Sequence, residues 1–317
     1  MLVTGATGFC GRHLCRDLVQ KKYRVVGTCV RKHRAREKEL FPLYKLDLRE
    51  TQSVDSLIAR MRPDFICHLA AQSVPRFSWR MQEETFAVNV AGTIYLLDAL
   101  RRYSPKTRLL HASTIQVYGR SFQSGKALKE KDLLWPIDPY AASKAISEHA
   151  CREFACRFGL QIVIARAFNH LGPGQPVHHA FSDWCRQIVH AEMGLGQPVL
   201  KVGDLNNRRD FLHIRDVLNA YELLMKRGKS GEVYNVCSEK AYPLSQFVDQ
   251  LIKRAKVRVK VVVDKSRVRF QVASLMKGDA SKLKALGWKP RFSPLDALED
   301  LLNEWRWRIR ADMKENG

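Results

Sequence analysis

Thr4-Gly5-Ala6-Thr7-Gly8-Phe9-Cys10-Gly11 follows a short apolar stub, Leu2-Val3, and opens a stretch in which Cys10, Leu14 and Leu18 share one helical face. A strand that turns on glycine into a helix brings the main-chain N–H groups of the helix N-terminus close to a ligand. A pyrophosphate uses those donors. Side chains at Gly5 and Gly8 would block that approach, and Gly11 lets the helix pack closely on the sheet. A glycine triplet alone also serves a structural tight turn. The strand–turn–helix context selects the other reading, a dinucleotide site with Gly5, Gly8 and Gly11 as its contact positions.

Further along the chain, apolar runs at 25–30, 65–70, 107–112 and 161–165 read as strands, and Val90, Ile94 and Leu97 share a helical face. Strands alternating with helices predict parallel pairing with right-handed crossovers. The expected fold is α/β, a Rossmann doubly wound parallel sheet with helices on both faces. The pattern changes after Ala165. Residues 169–175 are rich in Gly and Pro and read as a loop. Helical stretches follow at 181–192, 244–256 and 294–309, with a strand at 233–237. This predicts a nucleotide-binding domain over 1–165 and a smaller C-terminal substrate-binding lobe over 166–317, with chain returning to the sheet at about 211–237.

Composition narrows the function classes. The 317 residues carry 54 Lys and Arg against 32 Asp and Glu, a net charge of +22. Such a charge suits nucleic acid, an anionic membrane or anionic small substrates. No helix-turn-helix, zinc-finger or RNA-binding aromatic motif accompanies it, so the reading is a basic background plus a phosphate site, without nucleic acid. No apolar run approaches the ~20 residues of a membrane span. The glycine motif starts at residue 4 and leaves no room for a leader, so a cytoplasmic protein is expected. The eight cysteines form no CxxC pair, which predicts reduced, mostly buried thiols and no metal site.

Cofactor choice is set at the end of the second strand. An acidic residue there would bond a ribose 2′-hydroxyl. This chain has Arg31, with Lys32 and Arg34 nearby, and Arg31 suits a 2′-phosphate, so NADP(H) is expected over NAD(H). A solvated basic loop is the plainer alternative. Asp47-Leu48, after an apolar strand, are placed against the adenine, although Asp47 equally suits a helix cap. Tyr140-Ala141-Ala142-Ser143-Lys144 puts a phenol and an ammonium on one helix face, where the cation would lower the phenol pKa toward useful acid–base chemistry. Thr114 ends a buried strand and is the candidate to orient a carbonyl oxygen. The alternative there is a strand-end Thr bonded to backbone.

Together TGATGFCG (4–11), HLAAQS (68–73), NVAGT (89–93), STIQVYG (113–119) and YAASK (140–144) resemble the extended short-chain dehydrogenase/reductase family of nucleotide-sugar epimerases, dehydratases and reductases. The resemblance covers essentially the whole chain. It implies catalytic roles for Thr114, Tyr140 and Lys144, and a structural or relay role for Asn89. It also implies cofactor contacts at Thr7, Phe9, Leu69, Ala70 and Ala71, and a homodimer formed through two helices. The run RAFNHLGPGQ (166–175) is similar to GDP-4-keto-6-deoxy-mannose reductases, as are the stretches at 202–211, 214–217 and 231–236. This implies sugar-diphosphate or nucleotide contacts from Asn169, Arg209 and Arg269, each of which a surface salt bridge would also explain.

The chain departs from the pattern in places. Phe270 and Gln271 disturb the alignment around Arg269, His213 stands where the group has Asp, and Gln116 stands where dehydratases have Glu. Only Met1-Leu2-Val3 precede Thr4, which points to an earlier start of the reading frame or to a short first strand. The expected activity is NADPH-dependent reduction of the C4 keto group of a GDP-4-keto-6-deoxy-hexose, as in GDP-D-rhamnose synthesis. A nucleotide-sugar 4-epimerase is the alternative, with a 4,6-dehydratase behind it. A binding protein without catalysis on the same fold stands against the intact Thr114, Tyr140 and Lys144.

Overall fold

A computed structural model describes residues 1–30, 40–268 and 273–315. Its first half runs β1 (Leu2–Thr4), α1 (Phe9–Gln20), β2 (Val26–Cys29), β3 (Leu43–Lys45), α2 (Thr51–Met61), β4 (Phe65–His68), α3 (Pro75–Ser78) and α4 (Gln82–Phe86). A π-helical turn (Ala87–Ala91) leads into α5 (Gly92–Tyr103), then β5 (Arg108–Thr114), α6 (Pro139–Phe158) and β6 (Gln161–Ala167). The second half runs β7 (Asn169–Leu171), α7 (Ala180–Glu192), β8 (Val199–Val202), β9 (Arg208–His213), α8 (Ile214–Arg227), β10 (Val233–Val236) and β11 (Ala241–Pro243). It closes with α9 (Leu244–Arg254), β12 (Lys260–Val263), β13 (Leu275–Met276), α10 (Ser281–Lys284) and α11 (Pro294–Glu315).

Seven strands form one parallel sheet in the order β10-β6-β5-β4-β1-β2-β3. Apart from the exposed edge strand β3, the strands are largely buried on both faces, which explains their continuous apolar runs. Leu109, Ile162 and Ile164 pack toward α2, α5 and α6, while Leu110, Val163 and Ala165 pack toward α1 and α8. The first strand is only three residues long, yet it is central, with Leu2 level with Val26 on one side and Ile66 on the other. The order reverses between β1 and β4, and ligands bind such sheets at the strand carboxyl ends beside that switch.

Residues 169–171, read from sequence as loop, are a strand. β7 pairs in parallel with β9, Asn169 level with Phe211, so a tertiary partner overrides the local Gly and Pro signal. β9 also pairs with β11 and β13 in a second, smaller sheet, and β8 pairs with β12. A separate core of Phe181, Trp184, Phe211, Phe247 and Leu298 holds these elements to α7, α9 and α11. The chain rejoins the large sheet as α8 and then β10.

α6 begins on a proper cap. The Asp138 carboxylate accepts from the Ala141 N–H at 2.8 Å, Pro139 takes the first turn, and Gly159 closes the helix at φ 69°. Its buried face includes Ser143, Lys144, Ser147 and Glu148. Glu148 meets the Arg166 guanidinium of β6 in a bidentate pair at 2.7–3.0 Å, and both side chains are almost fully buried. The Ser113 hydroxyl of β5 donates to the same carboxylate. Arg166 also donates to the Tyr118 hydroxyl and the Glu130 carbonyl, both at 2.9 Å.

Removing one member of a buried pair strands the other. Glu148→Ala should therefore lower stability by about 3–5 kcal/mol. A urea titration should show the midpoint fall with an unchanged slope. The double variant Glu148→Leu/Arg166→Met should recover a large part of the loss, whereas a wild-type midpoint for Glu148→Ala would contradict this account.

Candidate active site

The glycine turn is built by close packing. Gly5 adopts φ 69°, and a Cβ there would lie 2.9 Å from the backbone of Ala70. A Cβ on Gly11 would run into Gly5 and Ala6, so α1 can approach the sheet only with glycine at that position. Thr4 locks the turn to the neighbouring strand. Its hydroxyl bonds His68 Nδ1 at 2.8 Å and accepts from the Ala70 N–H at 3.2 Å. The first turn of α1 leaves N–H groups without intrahelical partners, and Gly8, the residue before it, is exposed.

These residues form one wall of a cleft of about 1620 Å³ across the carboxyl ends of β1, β2, β4, β5 and β6. Gly5, Thr7, Gly8, Phe9 and Gly11 line it, as do Asp47 and Leu48 after β3 and Leu69, Ala70 and Ala71 after β4. Asp47 does not cap α2, whose cap position is Glu50. Its carboxylate is taken by Arg49, at 2.6 Å, and that guanidinium holds its pKa below the ordinary value. Arg31 lies outside the described residues, and Cys29 and Val30 line the cleft.

Thr114, Tyr140 and Lys144 meet on the floor. Thr114 is the last residue of β5, and its hydroxyl stands near the Tyr140 phenol and acts to lower the phenol pKa. It also accepts from the Gln116 N–H at 3.3 Å. Tyr140 stands in the first turn of α6 and Lys144 one turn on, with only 3% of the lysine exposed. Burial pushes the Tyr140 phenol up to about 12 and the Lys144 ammonium down to about 8. The helix spacing led to an expectation of a lowered phenol, and loss of water raises it instead. At neutral pH the phenol is protonated and the lysine charged, the state in which a phenol donates a proton.

Behind the triad the polar groups are buried and uncharged. His68 is pushed down to about 3 by burial and by Lys144, and His111 falls well below its ordinary value for the same reasons. His68 Nε2 bonds the Thr93 hydroxyl at 3.1 Å, and His111 Nε2 bonds that of Ser147 at 3.2 Å. Asn89, in the π-helical turn, donates to the Ser143 hydroxyl at 2.9 Å and accepts from the Gln72 N–H at 2.8 Å.

The opposite wall comes from the smaller lobe. Asn169 and Arg209 line it. Arg209 is buried, and its guanidinium donates to the carbonyls of Arg208, Ser274 and Ala273 at 2.9–3.0 Å. Burial pushes its pKa down to about 10. Arg269 lies outside the described residues. The structure adds wall residues that the sequence reading passed over, among them Gln175, His178, His179 and Phe181. The signal for them was the continuation of the 166–175 run into Pro176-Val177-His178-His179. Cys10, His170 and Gln116 also face the cleft. No helix among the described residues is long and apolar enough to cross a membrane.

Comparison with known proteins agrees with this geometry. A family profile described as GDP-mannose 4,6 dehydratase matches residues 2–301. GDP-6-deoxy-D-mannose reductase of Pseudomonas aeruginosa is 32% identical over 314 residues, covering 98% of this chain and 99% of that protein. GDP-6-deoxy-D-talose 4-dehydrogenase of Aggregatibacter actinomycetemcomitans is 29% identical, covering 94% and 95%. The structure of RMD from Pseudomonas aeruginosa complexed with NADPH superposes with a TM-score of 0.86 at 32% identity, covering 97% and 99%. With its parallel sheet, its glycine turn and a profile match along almost its whole length, the chain belongs to the GDP-mannose 4,6-dehydratase family of extended short-chain dehydrogenase/reductases.

Proposed function

We propose that this enzyme reduces the C4 keto group of a GDP-4-keto-6-deoxy-hexose with NADPH, as in the synthesis of GDP-D-rhamnose or a related GDP-deoxysugar. The observation that carries the reading is the meeting of Thr114 and Tyr140 on the cleft floor, one turn from the buried Lys144. The similarity to a GDP-6-deoxy-D-mannose reductase supports the substrate class.

The cleft fits a dinucleotide, since Gly5 and Gly11 occupy places a Cβ would fill and the N-terminus of α1 faces the opening. Phe9 and Thr7 would flank the pyrophosphate, Asp47 and Leu48 the adenine, and Leu69, Ala70 and Ala71 the far side. The bound nicotinamide supplies the hydride. Thr114 holds the C4 oxygen by hydrogen bonding, and Tyr140 donates its hydroxyl proton as negative charge develops there. Lys144 places a cation beside the phenol and bonds the nicotinamide ribose. Asn169, Arg209 and Arg269 bind the nucleoside diphosphate, for which fixed guanidinium donors suit the phosphates. The reading extends to a cytoplasmic homodimer. The spread of reduced cysteines supports the first element and family resemblance the second.

Three outcomes follow from this reading. NADPH should bind more tightly than NADH, and Arg31→Asp should narrow or invert the gap. Loss of a charge-assisted phosphate contact costs about 1.5–3 kcal/mol, so roughly tenfold or more is expected in the ratio of dissociation constants. Equal wild-type affinities would refute the assignment of Arg31.

Dehydration across C5 and C6 needs an acid and a base beside the catalytic hydroxyl, and here Ile115 and Gln116 follow Thr114. GDP-mannose with oxidised cofactor should therefore yield no 4-keto-6-deoxy product, a result checked by mass spectrometry. Oxidised cofactor retained through purification, with interconversion of C4 epimers, would instead establish the epimerase.

Tyr140→Phe should reduce turnover on the keto-sugar by about 10²–10⁴-fold while cofactor binding survives. Lys144 is charged below about 8 and neutral above. Reduction should thus decline as pH rises through that value, and Lys144→Met should abolish this limb and weaken cofactor binding. Near-normal turnover of Tyr140→Phe would remove the triad.

A further inference from the structure

Cys10 stands in the first turn of α1, where the glycine turn becomes helix, and it lines the cleft. Its Sγ lies 3.1 Å from Nε2 of His170. The other ring nitrogen, Nδ1, lies 2.9 Å from the Phe168 carbonyl oxygen. A carbonyl only accepts, so Nδ1 carries a proton, and in the neutral ring Nε2 is the lone-pair nitrogen facing the thiol. The ring is also stacked on Phe9, with an interplanar angle of 8°. Nucleophile, base and orienting group stand in sequence, which is the arrangement that activates a thiol. Burial opposes charging of His170, but Cys10 and the Phe168 carbonyl outweigh it and hold its pKa above the ordinary value.

The other cysteines make useful contrasts. Cys15, Cys67, Cys151, Cys185 and Cys237 are buried, and burial pushes their thiols up; Cys29 is buried too, at the end of β2 where it lines the cleft. Cys156 is exposed on the far part of α6. Cys10 combines an adjacent oriented base with access from a large cleft.

We propose that Cys10 is a nucleophilic thiol with His170 as its base, and that it is a covalent modification site for hydroperoxides and soft carbon electrophiles entering the cleft. With hydrogen peroxide, Sγ attacks one peroxide oxygen. The S–O bond forms as the O–O bond breaks, and the thiol proton passes by way of Nε2 to the departing hydroxide. The products are a sulfenic acid and water, with sulfur oxidised and peroxide reduced. With iodoacetamide, the C–S bond forms, iodide leaves and the proton goes to Nε2. Cys10 sits in the turn assigned to the pyrophosphate, so on that reading a bound dinucleotide covers the thiol.

The test is timed labelling of the folded protein with iodoacetamide at pH 7, followed by peptide mass mapping. Cys10 should label on the order of tenfold faster than Cys156, because an unassisted thiol is only a few per cent thiolate at that pH. His170→Gln should bring the two rates together, while Cys15 and Cys185 stay unlabelled and report an intact fold. In the wild type the Cys156 rate should climb steeply from pH 6 to 9 and the Cys10 rate should climb less. Parallel pH profiles, or an unchanged Cys10 rate in folded His170→Gln, would overturn the proposal. Labelling is repeated with NADPH, whose binding is measured separately by equilibrium dialysis. Bound NADPH that fails to protect Cys10 would overturn the shielding. NADPH that does not bind would overturn the dinucleotide reading and leave the thiol result standing.

Discussion

The site depends on one buried carboxylate. Glu148 sits on α6 one turn beyond Lys144 and binds Arg166 of β6 and Ser113 of β5 at once. Ser113 precedes Thr114, and Arg166 precedes the turn toward Asn169. The same contact therefore sets the rotation of α6, which aims Tyr140 and Lys144, and the strand ends that present Thr114 and Asn169. In a medium of low dielectric, two ions gain only when geometry and remaining hydrogen bonds are complete. Here Tyr118, Glu130 and Asn235 complete them, since the Tyr118 hydroxyl donates to Asn235 Oδ1 at 2.7 Å and β10 is drawn into the same network.

The fold and its glycine turn were legible in the sequence because much of their signal is local. Gly8 and Gly11 meet Gly5 and Ala6 a few residues away, although Gly5 itself is held against the distant Ala70, and a strand buried on both faces is an uninterrupted apolar run. Tyr140 and Lys144 were legible because one helical turn brings them together. β7 was missed because its partner, β9, lies some forty residues away and the local signal was Gly and Pro. The titration of Tyr140 was misjudged for a related reason. Spacing places Lys144 beside the phenol, but how much water each has lost is a property of the folded cleft. Asp47 reads equally as cap or ligand from sequence, and only the structure shows Arg49 occupying its carboxylate and Glu50 at the cap.

The electrostatics of the cleft match an anionic ligand. His68 and His111 are held neutral, Asp47 is compensated by Arg49, and the cations Lys144 on the floor and Arg209 on the opposite wall are buried. Both cations are pushed toward losing their protons, which shows that burial penalises their charge. On the proposed reading, a diphosphate bound beside Arg209 would relieve its share of that penalty. The net charge of +22 adds long-range attraction for the same kind of ligand, which raises the rate of encounter more than the strength of the final contact.

The two walls belong to different cores, and the segment after β6 joins them. Gly174 adopts φ 83° with His13 and Phe9 of α1 against it, and its N–H donates to Glu304 of α11. His13 Nε2 bonds the Pro173 carbonyl at 2.6 Å, which fixes that nitrogen as the donor. Cys10 and His170 add a second link across the same seam. The helix that begins at the glycine turn is therefore the one on which the 173–174 segment of the opposite wall rests. A shift of α1 by a fraction of an ångström moves both walls, since close-packed contacts transmit displacement. Gly11, which has no room for a Cβ, thereby governs both walls of the cleft, and on the proposed reading substitution there should not be separable into an effect on one ligand alone.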